Sequence, residues 1–319
     1  MLENRRRKFL LVMGLLFCLS IVASQITSVF IARHYALENR KENERTFQKF
    51  ALERSKLTFD AELRTHDLVE RYQKSVGYVS VIYRVDYHGQ RVLHERVGGT
   101  GFVVGRGLLA TNRHIAEPWF GDRECAELFA KGAWPTREEA LVFFPGMKQP
   151  IKLNRVILPE KSDDDIAIMQ FDPKGKDFVS LPIADGDPQV GQDVGILGYP
   201  SGIRLMVAKS SGATYDYLQQ RSSNAKIVTE IADRSLIRPT FTPGQIGDVM
   251  DDKVVYSAGT APGASGSPVL RTATGAVIAV NTAFLTDFSG ASFGFSAKAL
   301  VPLIRKAETE KSNDKNGKK

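Results

Sequence analysis

The chain has 319 residues, 43% of them hydrophobic, with 27 glycines, 14 prolines and a net charge of +7, which suits one large or two small turn-rich domains with a sizeable core. The charge sits at the ends: residues 1–8 carry +3, residues 305–319 carry +3, and the body between them only +1. That distribution excludes a nucleic-acid-binding face. The two cysteines, Cys18 and Cys125, fall in different segments, so no disulfide forms within the globular part, and Cys125 reads as a small buried apolar residue.

In chain order, residues 1–8 form a basic end and Phe9 to Ala32 run 24 residues without a charge. That length crosses a bilayer core as a helix, and the basic cluster before it places the amino terminus in the cytoplasm. A cleaved signal peptide is the rival reading, with Val22-Ala23-Ser24 as its cleavage site. The length of the apolar run favours an uncleaved signal anchor. Either way residues 33–319 are exported, and a bacterial inner membrane with the body facing the periplasm is the expected location. Residues 33–75 are charged and helix-prone, a helical stalk. Phe47, Phe50, Leu57, Ala61 and Leu68 recur at near-helical steps, interrupted by Arg54 and Arg64. The stripe reads as a solvated helix, or one lying on the next domain; a homo-oligomer contact through 33–75 is the sharper alternative.

From Val76 the texture changes to short β-branched and aromatic segments cut by turns. Strands are expected at Val76–Val85, Arg91–Val97, Gly101–Val104, Leu108–Thr111, Leu141–Phe144, Ile151–Leu158, Ile166–Phe171, Val194–Leu197, Val254–Ser257, Val269–Leu270, Ala276–Asn281 and Phe293–Ser296. Many short, closely spaced strands predict an all-β architecture of two six-stranded antiparallel β-barrels over residues 76–304, divided near 172–190. Residues 116–139 read as a loop with a short helix around Cys125–Lys131, residues 203–238 as a polar, partly helical insertion, and residues 305–319 as a charged flexible tail.

The chemistry lies in Gly263-Ala264-Ser265-Gly266-Ser267-Pro268. A serine hydroxyl becomes a competent nucleophile only beside a histidine base that a carboxylate orients. Of five histidines, His34 and His66 lie in the stalk, His88 in a hairpin turn and His94 on a strand surface, whereas His114 follows a strand and a small-polar turn. Among the adjacent Asp163, Asp164 and Asp165, the last enters a strand directly and is held most rigidly. Ser267 precedes Pro268 and Ser201 lies in a turn, which leaves Ser265. The small residues around it let the Gly263 and Ser265 N–H groups turn into one oxyanion hole, worth roughly 3–4 kcal/mol per donor. The chain order His114, Asp165, Ser265 is that of chymotrypsin-type enzymes. No Cys pair, H-E-x-x-H or phosphate-cradling glycine loop is present, so no metal and no cofactor are expected.

Thr100-Gly101-Phe102, Leu109-Ala110-Thr111-Asn112-Arg113-His114, Asp165-Ile166-Ala167, Leu197-Gly198-Tyr199-Pro200, the Ser265 segment, Gly275 to Thr282 and Phe293-Gly294-Phe295-Ser296 together resemble the chymotrypsin-type serine proteases of the DegP/HtrA branch over residues 76–304. The resemblance implies two perpendicular barrels with a site in the cleft between them. It makes His114 the general base, Asp165 the orienting acid, Ser265 the nucleophile and Gly263 an oxyanion donor. It also implies a protein or peptide substrate and an acyl-enzyme intermediate, with a catalytically silent scaffold or peptide-binding module as the alternative. The substrate pocket would have Gly259 at its base and Val280, Asn281 and Thr282 as its wall, which disfavours a strict Lys/Arg preference and suits a small-to-medium apolar P1 side chain. Three departures stand out. Ala264 replaces the usual Asn or Asp, which raises the question of how the oxyanion loop is held. The 54 residues after Ser265 leave no room for a PDZ domain. Residues 203–238 form an insertion beside the expected cleft.

Overall fold

The computed structural model describes residues 13–14, 33–35, 38–56, 64–161, 163–220, 227–284 and 291–316, in two compact units, Met1–Leu63 and Arg64–Lys319. In the first unit residues 38–56 are helical, with Phe47 and Phe50 75% and 66% exposed. Leu57, Ala61 and nearly all of the expected spanning segment 9–32 lie outside the described residues. No helix among the described residues is long and apolar enough to cross a membrane.

The second unit opens with a helix over residues 64–72, α1. Its Leu68 and Tyr72 are buried in the largest core cluster, so the last turns expected for the stalk pack on the body. Strands β1 (Val76–Tyr87), β2 (Gln90–Gly105) and β3 (Leu108–Thr111) follow, then the short helices α2 (Arg113–Ala116) and α3 (Arg123–Ala130), and then β4 (Trp134–Phe143), β5 (Ile151–Ile157) and β6 (Ala167–Phe171). These six strands close a barrel in the order β1-β2-β3-β6-β5-β4. After the divide come β7 (Asp193–Gly198), helices α4 (Ile203–Ala208), α5 (Gly212–Gln219) and α6 (Ile227–Asp233), and strands β8 (Thr240–Val249), β9 (Lys253–Tyr256), β10 (Pro268–Arg271), β11 (Val277–Phe284) and β12 (Ser292–Ser296). They close a second barrel, β10-β11-β12-β9-β8-β7. Every strand pairing is antiparallel. The chain ends in α7 (Leu300–Asn316).

Period-two alternation builds the barrel interiors, since successive strand side chains face opposite ways. Val79, Val81, Leu109, Val142 and Met169 fill the first barrel; Val194, Ile196, Ile246, Val254 and Val269 fill the second. The largest cluster joins the two, bringing Phe102 and Ile168 against Leu197, Tyr199 and Val280 and extending under α4, α6 and α7. Each such side chain removed from water contributes about 1.5–3 kcal/mol. The face shared by the barrels is therefore a packed core that fixes residues from both at one place.

Four elements differ from the sequence reading. Arg91–Val97 and Gly101–Val104 belong to one strand, because residues 98–101 stay extended by pairing with β1. The expected loop 116–139 gives way at Trp134 to β4, paired with β1. β8 was not expected, since Pro243, Gly244 and Gly247 read as turn residues; the strand nonetheless pairs with β7 from Thr240 to Gln245. Residues 305–316 are not a flexible tail but the continuation of α7. Leu303 and Ala307, four apart on one helix face, are buried. Lys311 Nζ donates to Arg106 O at 2.6 Å and Arg155 pairs with Glu310 at 3.3 Å. Cys125 is fully buried on α3 as expected, and burial pushes its thiol up to about 11, which keeps it an inert neutral group.

Candidate active site

α2 starts where β3 ends, and its Asn112 cap does not cap its own helix: the side-chain Nδ2 donates instead to the Asp165 carbonyl at 2.7 Å. That bond ties the turn before α2 to the turn before β6. The His114 backbone N–H then donates to Asp165 Oδ1 at 2.9 Å, and His114 Nδ1 lies 2.7 Å from Asp165 Oδ2. An ionised carboxylate only accepts, so Nδ1 carries the proton and Nε2 presents a lone pair. The second barrel adds a third donor, Thr282 Oγ1 on β11, 2.5 Å from Asp165 Oδ2. Asp165 is thus the carboxylate that meets the histidine, with its side chain only 13% exposed. His88 sits in the β1–β2 turn at φ +50°, and His94 faces Glu138 at 2.9 Å on the surface.

Ser265 lies on a pair of turns made by backbone chemistry. Ala264 N donates to Ala261 O and Ser267 N to Ala264 O, each at 3.0 Å. In the first turn Pro262 holds the second position at negative φ and Gly263 the third at +96°; in the second, Gly266 is at +84°. A negative φ followed by a strongly positive one defines a type II turn, which calls for glycine at the third position. Two type II turns therefore share Ala264. A Cβ at Gly263 would lie 2.7 Å from Tyr199 O, and one at Gly266 would run into the Thr100 carbonyl, so close approach as well as φ demands glycine. The Gly263 and Ser265 N–H groups have no hydrogen-bond partner among the described residues, leaving two backbone donors beside the serine. Ser265 Oγ donates to Thr282 O at 3.3 Å.

The first barrel clasps this loop through Thr100 on β2. Its N–H donates to Ser265 O at 2.8 Å, its Oγ1 donates to Gly263 O at 2.9 Å and accepts from Tyr199 N at 3.2 Å, and its carbonyl accepts from Thr111 Oγ1 at 2.7 Å. The sequence carries no local sign of this role, because the Thr100–Gly263 contact spans 163 residues.

Of the four expected pocket residues, Gly259 is exposed, and Thr242 Cγ2 is the nearest atom to where its side chain would stand, at 3.7 Å. Val280 is buried in the inter-barrel core. Asn281 is 1% exposed and turns behind the Ser265 loop, where Nδ2 donates to Ala264 O at 3.0 Å and to Thr260 Oγ1 at 3.2 Å. Its Oδ1 accepts from Tyr256 O–H at 2.8 Å. Thr282 gives its hydroxyl to Asp165. Val280, Asn281 and Thr282 thus spend their side chains on the core, the loop and the carboxylate. Asn281 also supplies the answer to how the loop is held beside Ala264, whose side chain is buried and apolar.

Two closed six-stranded barrels, with a histidine–carboxylate pair from one and a glycine-flanked serine from the other, make this a chymotrypsin-like serine hydrolase fold. The trypsin-like peptidase domain family matches residues 99–280, more than half of the chain, and the chain belongs to that family and is a serine endopeptidase. No curated protein matches the chain. Among solved structures it is similar to the active form of the Rv3671c protease of M. tuberculosis, with 18% identity, a TM-score of 0.48, and 75% of this chain and 83% of that one covered. It is also similar to Deg5, at 18% identity, a TM-score of 0.48 and coverage of 76% and 92%. A third likeness is the serine endoprotease of Yersinia pestis, at 17% identity, a TM-score of 0.47 and coverage of 76% and 65%.

Proposed function

We propose that the chain is a membrane-anchored endopeptidase that cleaves protein substrates outside the cytoplasm with His114, Asp165 and Ser265. The observation that carries the catalytic part is the His114–Asp165 pair, closed by both a backbone and a ring hydrogen bond and linked through Thr282, whose hydroxyl reaches Asp165 and whose carbonyl accepts from Ser265 Oγ, to a serine with two unpaired N–H groups beside it. Ser265 Oγ turns from the Thr282 carbonyl to His114 Nε2 and attacks the scissile carbonyl while its proton passes to Nε2. The oxyanion is received by the Gly263 and Ser265 N–H groups. Protonated His114, stabilised by Asp165, gives that proton to the leaving amine. Water then repeats the sequence on the acyl-enzyme, with His114 again as base. Gly259 brings no charged side chain to the pocket base, which supports an apolar P1 residue of small to medium size.

The membrane part rests on sequence: residues 9–32 carry no charge and follow a basic cluster, the pattern of a single span with a cytoplasmic amino terminus and an exported body in the bacterial inner membrane. A fluorophosphonate probe tests the catalytic part. Wild type labels and Ser265→Ala does not; absence of labelling in both sinks the assignment. Mass measurement of the mature protein tests the anchor, and a new amino terminus near Gln25 rejects it.

A further inference from the structure

We propose that Asn281 is a positioning residue for catalysis, whose side-chain amide pins the carbonyl of Ala264, the residue shared by the two turns that aim the oxyanion donors. The proposal rests on the reading of Ser265 as nucleophile and adds a residue to its machinery.

Ala264 is the hinge of the loop. Its N–H closes the first turn and its carbonyl closes the second by accepting from Ser267 N. The second lone pair of that carbonyl accepts from Asn281 Nδ2 at 3.0 Å. Rotation of the central peptide of the first turn would convert type II to type I geometry and turn the Gly263 N–H away from its present direction, while the Ser265 N–H lies in one planar peptide with the Ala264 carbonyl, so whatever holds that carbonyl also aims that donor. Ala264 is the residue on which both turns meet, and its buried methyl offers no polar anchor. Asn281 supplies one from the neighbouring strand. Its backbone also brackets the loop, its N–H donating to Ser267 O at 2.9 Å and its carbonyl accepting from Gly266 N at 2.8 Å.

The amide is held in one orientation. Burial drives the Tyr256 phenol well above its ordinary range, so Tyr256 stays a neutral donor. Asn281 Oδ1 accepts from it, and both Nδ2 hydrogens are left for Ala264 O and Thr260 Oγ1. A fully satisfied buried amide is rigid, and removing one of its partners costs more than the bond contributed. The oxyanion loop is therefore formed before substrate arrives.

The test compares wild type, Ser265→Ala, Asn281→Asp, Asn281→Ala and Tyr256→Phe as full-length proteins, by fluorophosphonate labelling rate and by kcat and KM on a peptide. Asn281→Asp keeps the size and the acceptor for Tyr256 but loses the donor to Ala264. We expect labelling rate and kcat to fall about 10- to 100-fold with KM within threefold, short of the loss of a whole donor. Tyr256→Phe leaves the pin in place and loses at least tenfold less. Folded Asn281→Asp or Asn281→Ala that labels within threefold of wild type overturns the pin, as does a Tyr256→Phe defect equal to theirs or a loss carried by KM. Wild type that fails to label brings down the reading of Ser265 instead. Should the Asn281 variants not fold, hydrogen exchange in substrate-free wild type decides: slow exchange of the Ala264 and Ser267 amides supports a preformed loop, and exchange at the rate of an open chain overturns it.

Discussion

The two halves of the site are built by different physics. The His114–Asp165 half belongs to the first barrel and is set by side-chain polarity: one carboxylate gathers the His114 N–H, the His114 ring and the Thr282 hydroxyl. The Ser265 half belongs to the second barrel and is set by backbone geometry, through two glycines at positive φ and one residue, Ala264, shared by two turns. In the first half an isosteric change alters which groups donate and accept while leaving the chain path intact. In the second, a single methyl group alters the path itself. The two halves should therefore fail differently, the first in rate and the second in folding.

The largest expected effect is that of Asp165→Asn. An amide keeps the shape but loses the full charge, and it offers an N–H where His114 Nδ1–H needs an acceptor. The imidazole then favours the tautomer with its proton on the wrong nitrogen. We expect kcat to fall about 10³- to 10⁴-fold, with a melting temperature near that of wild type. A loss below tenfold would break the comparison, since the carboxylate would then not be setting the ring.

Gly266→Ala tests the other half. Left-handed φ costs a residue with a Cβ about 1–2 kcal/mol, and here the Cβ also meets the Thr100 carbonyl. A total of about 3 kcal/mol lowers the melting temperature by roughly 6–12 °C for a domain of this size. Gly263→Ala carries the same φ penalty with a less severe approach to Tyr199 O, so its melting temperature falls less while its labelling rate still drops. Calorimetry and probe labelling on the same preparations separate the two. Equal melting temperatures for Gly266→Ala and wild type would show that the loop is softer than its contacts imply.

The same contrast explains what was legible in the sequence. Barrel strands announce themselves by alternation, and His114, Asp165 and Ser265 by local context, because a strand end or a small-residue turn is a property of neighbours in the chain. Thr100, Asn281 and Thr282 have no such context for their roles. Each acts through a partner brought close only by the tertiary fold, as when the packing of one barrel on the other brings Thr282 to Asp165 across 117 residues. Period two says that Val280 and Thr282 share a face, but not that one ends in a core and the other on a carboxylate. β8 was hidden because Pro243 and Gly244 carry turn chemistry, and α7 because its high charge masked the buried pair Leu303 and Ala307.

Thr282→Val sharpens the comparison at the point where the halves meet. The substitution keeps shape and removes only the hydroxyl that reaches Asp165 from the second barrel. Asp165 retains both bonds to His114, so the ring stays placed and the carboxylate loses one of three donors. A hydrogen bond to a charged group contributes about 1.5–3 kcal/mol. Part of that is recovered by water at this partly exposed site, and we expect about a tenfold fall in kcat with KM little changed. A fall as large as that of Asp165→Asn would mean that the second barrel, not the first, orients the carboxylate.

The smallest effect is expected where a charge network of the first barrel lies on its outer surface. Glu138 accepts from Arg84 Nη1 at 2.8 Å and lies 2.9 Å from His94 Nε2 and 3.5 Å from Arg91. The Arg84 bond holds its carboxyl below the usual range, against a smaller opposing effect of burial and with help from His94. A depressed acid stabilises the fold above its unfolded value of about 4.3, and that contribution disappears as pH falls through the lower folded value. Glu138→Gln should therefore lower the melting temperature slightly at neutral pH, lose that deficit as pH falls through the depressed folded value of Glu138, and leave kcat and KM unchanged throughout. High salt should shrink the neutral-pH difference, since exposed pairs are screened. A change in kcat would tie this surface to the His114–Asp165 pair and show that the first half of the site extends beyond the residues that touch the carboxylate.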